Sequence, residues 1–492
     1  MNRKKLGILC RVTIFLVLIC IILYRINYVF RDKNECESIT GFLDEKVDSI
    51  DVVFLGSSQV LNGINPVLLW KDYGISSYNC ATSNTNIPMM YYTAEYIFER
   101  QHPKVVVADL SFVYDNEKIV NTEGMHAIWD NIPVCRTKVQ AISDLVPEES
   151  RMELLMPLYI FHSRWSSLME SDFKKISLDR NFKGATTIDE YVQPQKVNHI
   201  EAPKESKELN ATVYAYLIKL IELCDKNNAE LVLVALPCPY LSDNENYMMT
   251  LNTVDKISND NNVDFVNVWK ERFLWGLDYY TDYSDYAHVN FRGQEKMTKQ
   301  IGEYLINKID LPDRRGDDDY ISFDEEYAKY QNYLASECSY AHYTDGSVSD
   351  FVSEFQNDFF CNGTWPSNGI SSWSGGEQND AFFYLDDLDG VSSVTMSFDF
   401  EDVNDTYRDE QHIEVYFNDV PVCQWSIGKT NINDSYECVI PVDRINKGSE
   451  NHLTVKYKDV DGVVVSKYRD MLEADDPLNA VAYKSIEFRY DR

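Results

Sequence analysis

The sequence predicts an α/β domain with a parallel sheet, followed by an all-β, jelly-roll-like sandwich and preceded by a membrane-spanning helix. Three observations predict it. From residue 51 to about 310, short apolar runs alternate with helical stretches, the pattern of a parallel sheet covered on both faces. After Tyr343 the apolar residues recur with period two, as in strands that bury one side. Before both, a basic tip leads into a largely apolar stretch from Leu6 to about Phe30. A chain of 492 residues exceeds one ordinary core. The expected divisions are 1–34 for the cytoplasmic tip and anchor, 35–311 for the α/β domain with a helical insertion at about 112–203, 312–343 for a linker with a helix, and 344–492 for the sandwich.

The uninterrupted centre of the apolar stretch, Val12 to Tyr24, is bracketed by Arg11 and Arg25. It is short for a span of roughly 20 residues, so both flanks must contribute, with the arginines reaching toward headgroups. No small-x-small site follows it, so an uncleaved anchor is expected rather than a signal peptide. Arg3, Lys4 and Lys5 hold the N-terminus inside and place the body outside the plasma membrane as a single-pass protein. Arg31 and Lys33 reduce that asymmetry.

Along the α/β region the expected strands are Asp51–Leu55, Ser77–Cys80, Lys104–Leu110, Leu231–Leu236 and Asp264–Val268. Asn65-Pro66 opens a short helix, and further helices are expected from Pro88 to about Gln101, from about Lys204 to Asn227, and from Phe291 to Lys308. The insertion carries an expected helix from Glu148 to Met169, which either roofs a site or is a plain packing unit. The linker carries one from about Asp324 to Ser339. In the sandwich, Val394-x-Met396-x-Phe398-x-Phe400, Ile413-x-Val415-x-Phe417, Leu453-x-Val455-x-Tyr457 and Ile486-x-Phe488-x-Tyr490 alternate, and Asn418-Asp419 reads as a hairpin turn.

The formal net charge of -33, with no basic stripe to offset it, argues against nucleic acid as a partner. Eleven cysteines include no Cys-x-x-Cys pair. In an exported body, Cys224 with Cys238 or Cys423 with Cys438 are candidate disulfides. The eight histidines show neither His-Glu-x-x-His nor zinc spacing, so no metal and no cofactor is expected.

Two distant fragments carry the chemistry. Gly56-Ser57-Ser58-Gln59 follows the first strand, at the carboxyl end where functional loops of parallel sheets sit. Asp285-Tyr286-Ala287-His288 precedes the last helix. A serine hydroxyl is a poor nucleophile unless a base takes its proton and donors hold the oxyanion. Ser58 would be the nucleophile, His288 the base and Asp285 the carboxylate orienting it, with Asp282 as the fallback. The plain alternatives are a structural turn and a histidine that caps the following helix.

At these residues the chain resembles the SGNH (GDSL-like) hydrolase superfamily, which usually carries Gly-Asp-Ser after the first strand and Asp-x-x-His near the domain's end. Here Gly56-Ser57-Ser58 matches with serine for aspartate, so Ser58 takes the nucleophile position, and Asp285 and His288 match the second motif. The resemblance covers about residues 51 to 310. The run from Phe54 to Val60, with Gly63-Ile64-Asn65-Pro66, is similar to anchored bacterial proteins of polysaccharide tailoring, such as the D-alanyl transfer protein of teichoic acids and the alginate acetyltransferases. The resemblance implies a three-layer α/β/α, flavodoxin-like domain and an O-acetyltransferase or O-acetyl esterase working through an acyl-serine. It also implies a surface glycan as acceptor and a membrane-bound O-acyltransferase as partner. The family's glycine and Gly-x-Asn-Asp blocks have no clear match. Asn79 to Asn84 and Asp109-Leu110-Ser111 stand in their places, with Ser83 and Asn84 as candidate oxyanion donors or else turn residues. His162 and Arg164 are candidate glycan contacts or surface residues, and Trp365, Trp373 and Trp425 a candidate sugar platform or core. Asn362-Gly363-Thr364 fits a glycosylation sequon. The rival readings are a non-catalytic glycan-binding or scaffold protein and a lipid-acting esterase.

Overall fold

The structure is a computed structural model describing residues 3–30, 37–111, 113, 122–130, 132–156, 158–173, 181–189, 203–239, 244–268, 275–278, 280–337, 340–352, 359–361, 364, 369–406, 408–460 and 479–492. Its first helix, Arg3–Phe30, contains an apolar span, Cys10–Phe30, long enough to cross a membrane.

The β-branched runs form β1 (Val52–Leu55), β2 (Ser77–Asn79), β3 (Val105–Asp109), β4 (Glu230–Ala235) and β5 (Asp264–Asn267). They pair in the order β2-β1-β3-β4-β5, all parallel. Successive side chains of a strand point to opposite faces, and the sequence exploits this. Val53, Leu55, Val106, Ala108, Leu231 and Leu233 enter one core, under helices Ile87–Phe98, Ala211–Lys226 and Glu245–Asp260. Val52, Phe54, Val105, Val107, Val232 and Val234 enter the other, under Pro66–Tyr73 and Phe291–Lys308. Three layers result. Between β1 and β3 the chain's winding reverses, and it is at the carboxyl ends of strands flanking such a reversal that open α/β sheets place their ligands.

The expected helix over Glu148–Met169 is corrected to short pieces. These are Arg151–Leu155, Leu158–Phe161 and the two 3-10 turns Glu148–Ser150 and His162–Ser166. The sequence has a proline at position 157, inside the run, and a proline in a helix interior would remove an amide and clash with the carbonyl four residues earlier. Among the described residues the insertion packs sideways: Arg136–Leu145 lies along Ile87–Phe98, where Tyr92 hydrogen-bonds Asp144. Helix Ile321–Glu337 packs on the α/β domain. There Trp70 stacks on Phe323 at 4.9 Å and donates to Asp324 Oδ1 at 2.8 Å.

The C-terminal part is a sandwich of two five-stranded sheets. Its strands are β6 (His342–Tyr343), β7 (Val348–Asp350), β8 (Ser372–Trp373), β9 (Gln378–Leu385), β10 (Ser393–Val403), β11 (Gln411–Phe417), β12 (Val420–Ile427), β13 (Tyr436–Pro441), β14 (Asn451–Tyr457) and β15 (Val481–Asp491). One sheet runs β13-β10-β15-β7, with β8 also on β15, and the other β12-β11-β14-β9-β6. Asn418 and Asp419 both take left-handed backbone, φ 48° and 63°, in the turn between β11 and β12, as a two-residue hairpin requires. Trp373 is buried, and Trp425 packs against Phe398, Phe400 and Tyr436. Both pack with the core, the plainer of the two readings. Trp365 and the sequon residues Asn362 and Gly363 lie outside the described residues.

Cys423 and Cys438 form a disulfide, while Cys224 and Cys238 are buried and not joined to each other. The bond joins β12 to β13, the edge strands of the two sheets, across a sequence separation of 15. A loop of that length implies about 3 kcal/mol of stabilisation by chain entropy. Cys423→Ser should lower the sandwich's unfolding free energy by about that amount, seen as a urea midpoint at lower denaturant. An unchanged midpoint would mean the bond does not restrain the unfolded chain.

Candidate active site

The turn that carries Ser58 is shaped by close approach. A Cβ on Gly56 would lie 2.3 Å from Val60 Cγ2 and 3.1 Å from Asp109 Cβ, so only glycine fits between β1 and β3. Ser57 follows in extended conformation and caps helix Ser58–Gly63, its carbonyl accepting from the amides of Val60 and Leu61. Its own hydroxyl is buried and donates to Gln59 Oε1 at 2.6 Å. Ser58 is half-exposed at the first helical position, where a backbone amide has no intrahelical acceptor. Of the two serines, Ser58 alone is presented.

The other half of the site precedes helix Phe291–Lys308. Asn290 caps that helix through the amides of Arg292 and Gly293, and its Nδ2 donates to Thr281 O. The cap is therefore asparagine, and His288 is left for other work. Ser284 N donates to His288 O at 2.9 Å, closing a tight loop. Within it, Asp285 Oδ1 accepts from the amides of Ala287 (2.6 Å) and His288 (2.7 Å), and Oδ2 lies 2.8 Å from His288 Nδ1. His288 Nε2 lies 2.7 Å from Ser58 Oγ. Burial works to raise the Asp285 carboxyl, but the hydrogen bond and charge of His288 and the two amides outweigh it and hold it below the ordinary aspartate value. With Asp285 ionised, Nδ1 carries the ring proton and Nε2 is free to accept from the Ser58 hydroxyl. Asp282, the fallback carboxylate, is buried and binds Lys296 Nζ at 2.6 Å and the Asp278 amide at 2.6 Å. It shapes the loop without reaching the histidine ring.

Ser83 and Asn84 are exposed in the loop after β2, which Thr82 ties to the nucleophile turn through its amide and Gly56 O, 3.2 Å apart. Asn84 adopts φ 59°, a conformation asparagine tolerates better than most residues. Asn79 is spent on structure: its Nδ2 donates to Val60 O and Ile64 O. His162 and Arg164 are held elsewhere, His162 by Tyr159 O and Arg164 by Phe30 O at the end of the first helix. Among the described residues, no group of three or more metal-ligating side chains exists.

Sequence reasoning placed Asp109 only by position, without its burial, and missed two further features. Asp109, at the end of β3 and against Gly56, is fully buried. Its Oδ1 accepts from Ser111 Oγ and Leu236 N, while Oδ2 has no hydrogen-bond partner among the described residues. Burial pushes its carboxyl up to about 6 against those hydrogen bonds. Gln294 is fully buried and ties the nucleophile helix to the last helix; an asparagine cap four residues earlier was its only signal. A clasp from the sandwich grips both ends of the histidine loop. Tyr280 OH donates to Glu377 Oε2 at 2.7 Å. Arg292 pairs with Glu450, donates to Tyr340 OH and lies 3.6 Å over the Phe382 ring.

No family model and no curated protein matches the chain. Solved structures do. A GDSL-like lipase from Bacteroides thetaiotaomicron is 11% identical over 52% of this chain and 88% of its own, with TM-score 0.27. A psychrotrophic esterase from Pseudoalteromonas sp. is 12% identical over 52% and 97%, TM-score 0.27. A family 35 carbohydrate binding module from an environmental isolate is 9% identical over 29% and 82%, TM-score 0.16. None of these likenesses fixes a substrate. The sheet order, the serine after β1 and the Asp-x-x-His loop before the last helix together place a Ser-His-Asp constellation at the carboxyl edge of a three-layer α/β/α domain.

The raised Asp109 carboxyl has a signed consequence. An acid that binds its proton more tightly when folded destabilises the fold once ionised, above about pH 6, and the cost is relieved as pH falls toward about 4. Asp109→Asn should therefore be more stable than wild type at pH 7.5, by about 3 kcal/mol at most, with the gap closing by pH 4.5. Thermal melts across that range check it; a gap independent of pH would contradict the assignment.

Proposed function

We propose that this protein is an SGNH-type acyl-transfer enzyme acting on cell-surface carbohydrate through an acyl-Ser58 intermediate. The observation that carries the reading is the 2.7 Å contact between Ser58 Oγ and His288 Nε2, backed by Asp285 at 2.8 Å. Ser58 Oγ attacks the acyl carbonyl while its proton passes to Nε2. The tetrahedral oxyanion collapses, and the imidazolium returns the proton to the leaving oxygen. In the second half, His288 deprotonates a glycan hydroxyl, or water in an esterase; that oxygen takes the acyl group from Ser58, and the imidazolium returns the proton to Ser58 Oγ. Asp285 stabilises the imidazolium in both halves. The Ser58 amide and the Ser83-Asn84 loop are the proposed source of oxyanion donors. Exclusion of water from the acyl-enzyme separates transfer from hydrolysis.

The apolar helix Cys10–Phe30 supports a single-pass anchor with the body outside the cell, and the Cys423–Cys438 bond suits an oxidising compartment. Acyl transfer there needs an activated donor, for which a membrane-bound O-acyltransferase is the proposed partner. The non-catalytic alternative draws on one observation: a buried acid, Asp109, stands where the family's donor block is expected.

Hydrolysis of an activated acetyl ester by the detergent-solubilised chain decides between them. Ser58→Ala should lower kcat/KM at least ~10³-fold, and Asp285→Asn by ~10³ to 10⁴-fold. Equal turnover by wild type and Ser58→Ala would sink the enzyme reading. Supplying an oligosaccharide acceptor and following acetyl-sugar formation then distinguishes transferase from esterase.

A further inference from the structure

The first helix is exposed along most of its length but half-buried over residues 26–30. What covers that last stretch is the segment 158–173 of the insertion. Leu158 N donates to Asn27 Oδ1 at 2.8 Å, and Arg164 Nη1 donates to Phe30 O at 2.8 Å. Asp172 locks the arrangement from within: Oδ1 accepts from Arg164 Nη2 and Oδ2 from Met169 N, each at 2.8 Å. The segment is thus fastened to the end of the helix.

Beside these fastenings it exposes Tyr159 (62%), Trp165 (73%), Met169 (64%) and Phe173 (65%). Single exposed apolar residues are ordinary on a soluble surface, but four large ones gathered on one short segment mark an interaction site.

Length fixes the depth at which this happens. The span Cys10–Phe30 has 21 residues, which at a helical rise of 1.5 Å gives about 30 Å, the thickness of a bilayer's hydrocarbon core. A helix so placed has Asn27 and Phe30 at the boundary on the body side. Any group hydrogen-bonded to them lies within about one helical turn of that boundary. Tryptophan and tyrosine are favoured at this level, and Met and Phe gain by leaving water for the acyl boundary.

We propose that segment 158–173 is a membrane-docking collar whose partner is the lipid bilayer itself. Trp165 and Tyr159 sit among the headgroups, and Met169 and Phe173 dip into the acyl boundary. Arg164 is the strut that holds the collar to the helix. The body is then seated on the membrane at a fixed tilt rather than swinging from a single tether. The inference rests on reading Cys10–Phe30 as a membrane span.

The test uses the full chain reconstituted in phosphatidylcholine vesicles, with and without lipid brominated on the acyl chain near the carbonyl. Vesicle flotation reads the anchor; quenching of tryptophan emission by bromine reads the collar. The chain has eight tryptophans, so Trp165→Phe, a conservative change at an exposed position, isolates the one that matters. Flotation with quenching that is largely lost in Trp165→Phe supports the collar. Flotation with equal quenching in both proteins overturns the collar and leaves the anchor standing. Failure to float overturns both.

Discussion

Gln294 joins the two halves of the site, and it does so with every hydrogen bond an amide side chain can make. Its Nε2 donates to Asn62 O and Thr186 O, both at 2.7 Å. Its Oε1 accepts from Asn65 Nδ2 at 3.1 Å and Thr187 Oγ1 at 2.8 Å. Asn62 belongs to the helix that Ser58 begins, and Gln294 to the helix that follows His288. Because the amide is fully buried, any slip that breaks one of these bonds leaves a polar group unpaired, at about 1–3 kcal/mol each. Ser58 and His288 are 230 residues apart in sequence. Their contact is a consequence of this tie more than of any attraction between them.

The sandwich adds a second constraint. Tyr280 and Arg292 stand at the two ends of the loop bearing Asp285 and His288, and both are gripped by residues of the sandwich. Arg292 is engaged by charge, hydroxyl and ring face together, a combination that its planar guanidinium permits and a lysine's point charge does not. The histidine loop is thereby braced from the α/β side by Gln294 and Asn290 and from the other by Glu377 and Glu450. A sandwich used this way is part of the site's scaffold, whatever else it binds.

Much of this was legible in the sequence where the signal was local. Runs such as Val105–Ala108 could only be buried strands, and their alternation with helices gave a parallel sheet. Ser58 and His288 were readable because short motifs carry them. What was not legible depends on contacts distant in the chain. Cys224–Cys238 and Cys423–Cys438 have nearly equal separations, and only the meeting of two sheet edges selects the second. The apolar spacing over Glu148–Met169 reads as one helix, while a proline within it disfavours one. Arg164 had the composition of a ligand contact, and it is a strut because Phe30 happens to end where it reaches. Gln294 reads as one polar residue in an amphipathic helix until its four partners are assembled around it.

Under the proposed function, these constraints make Ser58 a nucleophile with His288 as its base. A fluorophosphonate tests it directly, since its phosphorus is attacked only by an activated hydroxyl and the adduct stays covalent. Intact-mass analysis followed by peptide mapping should find a single phosphonyl group on the peptide containing Ser58, and His288→Ala should nearly abolish it. Labelling that falls on another residue, or that proceeds equally well without His288, would contradict the account.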